Sequence, residues 1–124
     1  MKKRILLVDD EEDIRTLYKK TIEKGGYLVE TASNGMEALE MVETFNPNLV
    51  ILDIMMPDMD GWEVTKKIRK KHSINELPII ILSVKSEIAD KVKSTSDLGA
   101  NRHCTKPVDG NDLIYMIKTL LDEL

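Results

Sequence analysis

A single cysteine, Cys104, occurs in 124 residues, so neither an internal disulfide nor a multi-cysteine zinc site is available, and a reduced, cytoplasmic setting is expected. Long apolar runs are also missing. Nothing approaches the roughly 20 residues that a membrane helix needs, and Met1-Lys2-Lys3-Arg4 leads into a run too short for a signal-peptide core, so no membrane partner is expected. Positive charge is not in excess either. Lys and Arg total 18 against 22 Asp and Glu, a formal charge of −4. The nearest approach to a basic stripe, Lys66-Lys67 with Arg69-Lys70-Lys71, reads as a solvated helix end complementing the helix dipole, so direct nucleic-acid binding is not expected. Repeats, low-complexity tracts and linkers are absent. With 42% hydrophobic residues the chain has material for one core and no room for a second domain, so residues 1–124 are read as a single domain.

Four short segments, each ended by polar residues, dominate the rest. Ile5-Leu6-Leu7-Val8 is closed by Asp9 and Asp10, Leu49-Val50-Ile51-Leu52 by Asp53, and Ile79-Ile80-Ile81-Leu82 by Ser83; Lys106-Pro107 follows a shorter segment. Continuous apolar runs of this length read as strands buried on both faces, as in a parallel sheet covered by helices. Between them lie helical stripes: Ile14, Leu17, Tyr18 and Ile22, stopped by Gly25-Gly26; Ala38, Leu39 and Val42 after Asn34-Gly35; and Trp62, Val64, Thr65 and Ile68 after Gly61. A thin fourth pattern holds Ile88 and Val92, and a strong fifth holds Leu113, Ile114, Ile117, Leu120 and Leu121 behind Asp109, a candidate N-cap. Residues 28 to 31 alternate apolar and polar and residues 102 to 105 are largely polar, so these are the expected edge strands. The fold class is therefore α/β, a flavodoxin-like doubly wound (βα)5 unit whose five-stranded parallel sheet has the order 2-1-3-4-5.

That order makes strands one and three neighbours at the switch point, where the carboxyl ends of the strands form a ligand crevice. Asp9, Asp10 and Asp53 should meet there. Glu11, Glu12 and Asp13 are simply a solvated acidic start to a helix. Three facing carboxylates repel one another unless a cation neutralises them. Oxygen ligands with no histidine nearby suit Mg²⁺, which takes one or two carboxylates together with a phosphoryl oxygen. A carboxylate held by that cation and lying near a lysine is placed to attack phosphorus and become an aspartyl phosphate.

Together, Asp9-Asp10, Asp53 followed by Met56-Pro57-Asp58-Met59-Asp60-Gly61, Ser83 and Lys106-Pro107 resemble the receiver domain of two-component response regulators, of the single-domain chemotaxis-receiver kind, over essentially the whole chain. The resemblance implies that Asp53 is the phosphoacceptor, that Asp10 is a direct Mg²⁺ ligand and that Asp9 acts mainly through water, with the Met55 backbone carbonyl completing the protein ligands. Lys106 would pair with the phosphoryl group, and Ser83, on its own no more than a strand cap, would hydrogen-bond to it. A cis bond before Pro107 is usual in the family. The partner supplying phosphate would be a histidine kinase or phosphotransfer protein. The chain would catalyse only its own phosphorylation and dephosphorylation, without being an enzyme in the usual sense. Output would be read on the face of the fourth helical pattern, the fifth strand and the fifth helical pattern. With no effector segment after Leu124, a downstream partner protein is expected unless the sequence is a piece of a longer one; the protein itself would be a monomer or a weak, phosphorylation-dependent dimer.

Some positions depart from the commonest pattern. His103 stands where the family usually has Tyr or Phe, so the switch pair becomes Ser83 and His103, with a partly exposed structural histidine as the plainer alternative. Val84 replaces a smaller residue, and Met55 and Lys85 border the path that attacking water takes in the family, so these three are expected to tune the phosphorylated lifetime. Met56 and Met59 read as gap-filling apolar residues, Trp62 as packed near the mouth of the site, and Cys104 as small, apolar and buried. Two other classes use related features. An aspartyl-phosphate phosphohydrolase would usually carry a second Asp where this chain has Met55, and would need a cap domain. A flavodoxin-like electron carrier would have to cradle a phosphate in a loop that here reads Asp9-Asp10-Glu11-Glu12 and repels one.

Overall fold

The structure, a computed structural model, describes residues 2–83 and 99–123, with Ser83 described through its backbone alone. Its sheet has five parallel strands, β1 (Arg4–Val8), β2 (Leu28–Ala32), β3 (Leu49–Leu52), β4 (Ile79–Ser83) and β5 (Arg102–Thr105). Their order is β2-β1-β3-β4-β5, as the edge character of β2 and β5 implied. Four helices are described: α1 (Glu12–Lys24), α2 (Gly35–Thr44), α3 (Gly61–Arg69) and α4 (Gly110–Leu120), the last being the fifth helical pattern of the sequence. The fourth pattern, including Val84, Lys85, Ile88 and Val92, lies outside the described residues.

Alternation along the strands divides the core in two. Leu6, Val8, Val50, Leu52, Ile79 and Ile81 face one way and pack with Ala38 and Val42 of α2 and Val64 and Ile68 of α3. Ile5, Leu7, Val29, Leu49, Ile51, Ile80 and Leu82 face the other way and pack with Tyr18 and Ile22 of α1 and Leu113 and Ile117 of α4. Burying both faces is why the interiors of the central strands are apolar, with polar residues only at their ends, Arg4 opening β1 and Ser83 closing β4. Each fully buried Leu or Ile side chain contributes roughly 1.5–3 kcal/mol, so these two layers supply most of the driving force.

Helix ends follow their local chemistry. Asn34, Asp60 and Asp109 cap α2, α3 and α4 by accepting from amides of the first turn, and Gly26, at φ 99°, takes the chain out of α1. Two sequence expectations need correction. Leu17 is 57% exposed, because α1 buries only the narrower stripe of Tyr18 and Ile22, with Ile14 at its margin. Cys104 is half-buried on edge strand β5, packed at the margin of the layer that holds Leu113 and Ile117, and burial pushes its thiol pKa up with help from the Asp112 charge. Among the described residues no helix is long and apolar enough to cross a membrane.

Candidate functional site

Strand register brings the acidic residues together. Val8 pairs with Leu52 at the ends of β1 and β3, so the next residues, Asp9 and Asp53, emerge side by side. Backbone bonds hold both in place: Asp9 donates its amide to Ala32 O at 3.1 Å, and Asp53 donates to Val8 O at 2.9 Å. Asp10 follows on the solvent side, and carboxylate oxygens of Asp9, Asp10 and Asp53 all lie within 4.8 Å of one another. Asp9 and Asp53 are 1% and 5% exposed, whereas Asp10 is open to solvent.

Lys106 enters this cluster from the end of β5, ahead of a cis bond to Pro107. Its Nζ lies 2.6 Å from Asp9 Oδ2 and 3.3 Å from Asp53 Oδ1. Burial alone would lower its pKa, but the hydrogen bond to Asp9 and the charges of Asp53 and Asp9 outweigh it and hold the ammonium above its ordinary range. Asp9 uses its other oxygen as well: Oδ1 accepts from the Glu11 amide at 2.9 Å. Both oxygens of Asp9 are therefore engaged within the protein, whereas Asp10 is solvent-exposed and still brings a carboxylate oxygen to the cluster. Hard oxygens from three carboxylates, only partly balanced by one ammonium, fit a small divalent cation of the Mg²⁺ type.

The floor and one wall come from the segment after β3. A Cβ on Gly61 would lie 2.3 Å from the Asp53 carbonyl oxygen, so only glycine allows the start of α3 to pass this close. Gly61 also donates to Ile54 O at 2.7 Å. Met55 is 59% exposed, and Met56 and Met59 pack against the core, as expected of loop and gap-filling residues. Trp62 is buried, with its ring 5.2 Å from that of His103 at 70°, an edge-on contact linking α3 to β5. His103 is half-buried, and burial lowers its pKa, favouring the neutral ring. Ser83 ends β4 with its backbone in register with Thr105. Val84 and Lys85 lie outside the described residues.

Two residues missed in the sequence join the site. Arg15 Nη1 donates to the Asp9 carbonyl oxygen at 2.7 Å, a contact no local pattern announces. Asp58, part of the quoted loop but given no task, accepts from Gly35 and Met36 at the start of α2 at 2.9 and 2.8 Å. Aspartate among turn residues was the only signal available.

Known proteins match this arrangement over nearly the whole chain. The response regulator receiver domain family matches residues 5–118. The alkaline phosphatase synthesis transcriptional regulatory protein PhoP of Bacillus subtilis is 44% identical over 121 residues, covering 98% of this chain and 49% of that protein. The chain thus spans about half the length of the curated relatives it matches. Among solved structures, a CheY-like response regulator receiver domain protein from Methanospirillum hungatei superposes with TM-score 0.89 at 35% identity, covering 99% of this chain and 96% of that one. The response regulator TrrA of Thermotoga maritima, solved with Mg²⁺ and BeF, gives TM-score 0.83 at 40% identity, covering 95% of this chain and 98% of that one. With the sheet order, the acidic cluster and Lys106 in the places the motifs implied, the chain belongs to the response regulator receiver domain family, whose members are phosphorylation switches of two-component signalling.

Proposed function

We propose that a histidine kinase or phosphotransfer protein donates a phosphoryl group to Asp53, with Mg²⁺ held by Asp10, Asp53 and the Met55 backbone carbonyl and, through water, by Asp9. One observation carries the reading: Lys106 sits between Asp9 and Asp53 at the switch point, with Asp10 beside them on the open side. A carboxylate oxygen of Asp53 forms the new O–P bond as the P–N bond to the donor histidine breaks and the donor imidazole leaves. When bound, Mg²⁺ supplies neutralisation of charge on the phosphoryl oxygens. Lys106, 3.3 Å from Asp53 Oδ1, adds a second positive charge, and Gly61 lets the start of α3 pack against the Asp53 backbone carbonyl. Mg²⁺ with a phosphoryl-like BeF group in TrrA supports the same pairing here.

The added phosphoryl group brings about −1.5 to −2 charge to the sheet edge. Drawing the Ser83 hydroxyl toward it would bias the face formed by β5 and α4, where a partner would read the state; the fourth helical pattern expected to share that face lies outside the described residues. Relatives named transcriptional regulators extend well beyond the matched half, which makes gene control the output class we infer for the pathway.

Intact mass after acetyl phosphate and Mg²⁺ treatment tests the central step. Wild type should gain one phosphoryl group and Asp53→Asn none; equal labelling of the variant would remove Asp53 from its role.

A further inference from the structure

The loop between β3 and α3 is anchored at two points. At its end, Gly61 is seated against the Asp53 carbonyl and donates to Ile54. In its middle, Asp58 reaches across to a helix that begins more than twenty residues earlier in the chain: Oδ1 accepts from Gly35 at 2.9 Å and Oδ2 from Met36 at 2.8 Å. Oδ1 also accepts from the Met59 amide at 2.9 Å, so one carboxylate ties its own loop to the first turn of α2. Packing reinforces the tie. A Cβ on Gly35 would lie 2.2 Å from Met59 Cγ, so the loop rests on the helix where Gly35 leaves room. These bonds are not needed to start α2, because Asn34 already caps Glu37 at 2.8 Å and Glu37 returns the favour by accepting from Ser33 at 2.7 Å.

We propose that Asp58 is a positioning residue for the metal site: by clasping the first amides of α2 it fixes the segment carrying the Met55 carbonyl beside Asp53. The inference rests on the Mg²⁺ site described under Proposed function. Met55, Met56 and Pro57 lie between Ile54, whose carbonyl the Gly61 amide holds, and Asp58, and a backbone carbonyl offered from an unanchored loop must be ordered at the moment the ion binds. That ordering lowers affinity, whereas a held loop presents the ligand in advance. The carboxylate is matched to the task because it accepts two adjacent amides at once, one on each oxygen, and so fixes orientation as well as distance.

Calorimetric Mg²⁺ titration of the unphosphorylated full chain tests this, with four variants compared against wild type. Asp58→Ala should raise the dissociation constant about tenfold, in line with other residues that orient metal ligands, and Asp58→Asn, keeping one oxygen acceptor, should fall between. Asn34→Ala removes the other cap of the same helix, so it should lower the thermal midpoint while leaving Mg²⁺ affinity unchanged. Saturating Mg²⁺ should restore the acetyl phosphate labelling rate of Asp58→Ala. Wild-type affinity in Asp58→Ala, or an equal loss in Asn34→Ala, would overturn the positioning role. Asp10→Ala separates the two levels: if it abolishes binding while Asp58→Ala does not weaken it, the clasp alone fails, and if wild type binds no Mg²⁺, the metal site fails with it.

Discussion

Asp9 and Asp10 are neighbours in sequence with opposite surroundings, and that difference decides what each can offer an ion. Asp9 spends one oxygen on the Glu11 amide and the other on Lys106, so direct coordination would cost it an existing bond. Asp10 has no such cost. Asp10→Ala should therefore abolish most Mg²⁺ affinity in calorimetry, and unchanged affinity would reduce the acidic pair to a helix start. Lys106 plays the complementary part, since it balances the buried carboxylates before any ion arrives. Removing one partner of a buried pair typically costs about 3–5 kcal/mol, so Lys106→Ala should lower the thermal midpoint without Mg²⁺. Saturating ion should recover much of that loss, because a ligand at 100 times its dissociation constant stabilises by about 2.7 kcal/mol. Met55, exposed and apolar, presents no group to orient water beside Asp53. Spontaneous loss of the phosphoryl group should be slow, and Met55→Asn should speed it several-fold in a radiolabel decay assay; an unchanged rate would mean that the side chain points away from the water path.

At the scale of elements, the parallel strands were legible because a strand buried on both faces admits nothing polar, and the sites were legible because the polar residues that end such strands must emerge at one edge. Asp9, Asp10 and Asp53 could be brought together from the strand order alone. The Asp58 clasp could not, since its partners lie 22 and 23 residues away and hydrogen-bonding reach across a fold leaves no periodic trace. Leu17 was misread for a related reason: helical spacing marks a candidate stripe, and only the neighbouring elements set its width. The clasp also predicts an acid response. Backbone amides of Gly35 and Met36 hold the Asp58 carboxyl below its ordinary range, partly offset by some desolvation. A carboxyl with a depressed folded pKa contributes stability that is present above its unfolded value and lost as pH falls through the folded one. The stability difference between wild type and Asp58→Asn should thus be full at neutral pH and shrink once pH drops below about 4. Denaturant midpoints measured from pH 7 to pH 3 check this, and a difference undiminished between pH 7 and pH 3 would mean that charge on Asp58 contributes nothing.

Across the whole molecule, the question is how an event at the end of β3 reaches β5 at the far edge of the sheet. With Asp53 phosphorylated as proposed, two routes to β5 can be tested. One passes through Ser83, whose backbone stands at the end of β4 in register with Thr105. The other passes along Gly61 to Trp62 and across the edge-on ring contact to His103. Both converge on β5, and a redistribution between two existing conformations is enough to carry a signal along either. We expect the hydroxyl to be the stronger link, because it alone gains a new bonding partner when the phosphoryl group arrives. NMR shifts on phosphorylation should spread from Asp53 to His103 and to the probes Ile88 and Val92. In Ser83→Ala, Asp53 should still be phosphorylated while the distant shifts shrink. A variant that kept every distant shift would leave the Trp62–His103 contact as the route, and then Trp62→Leu should erase the shift at His103 where Ser83→Ala had not.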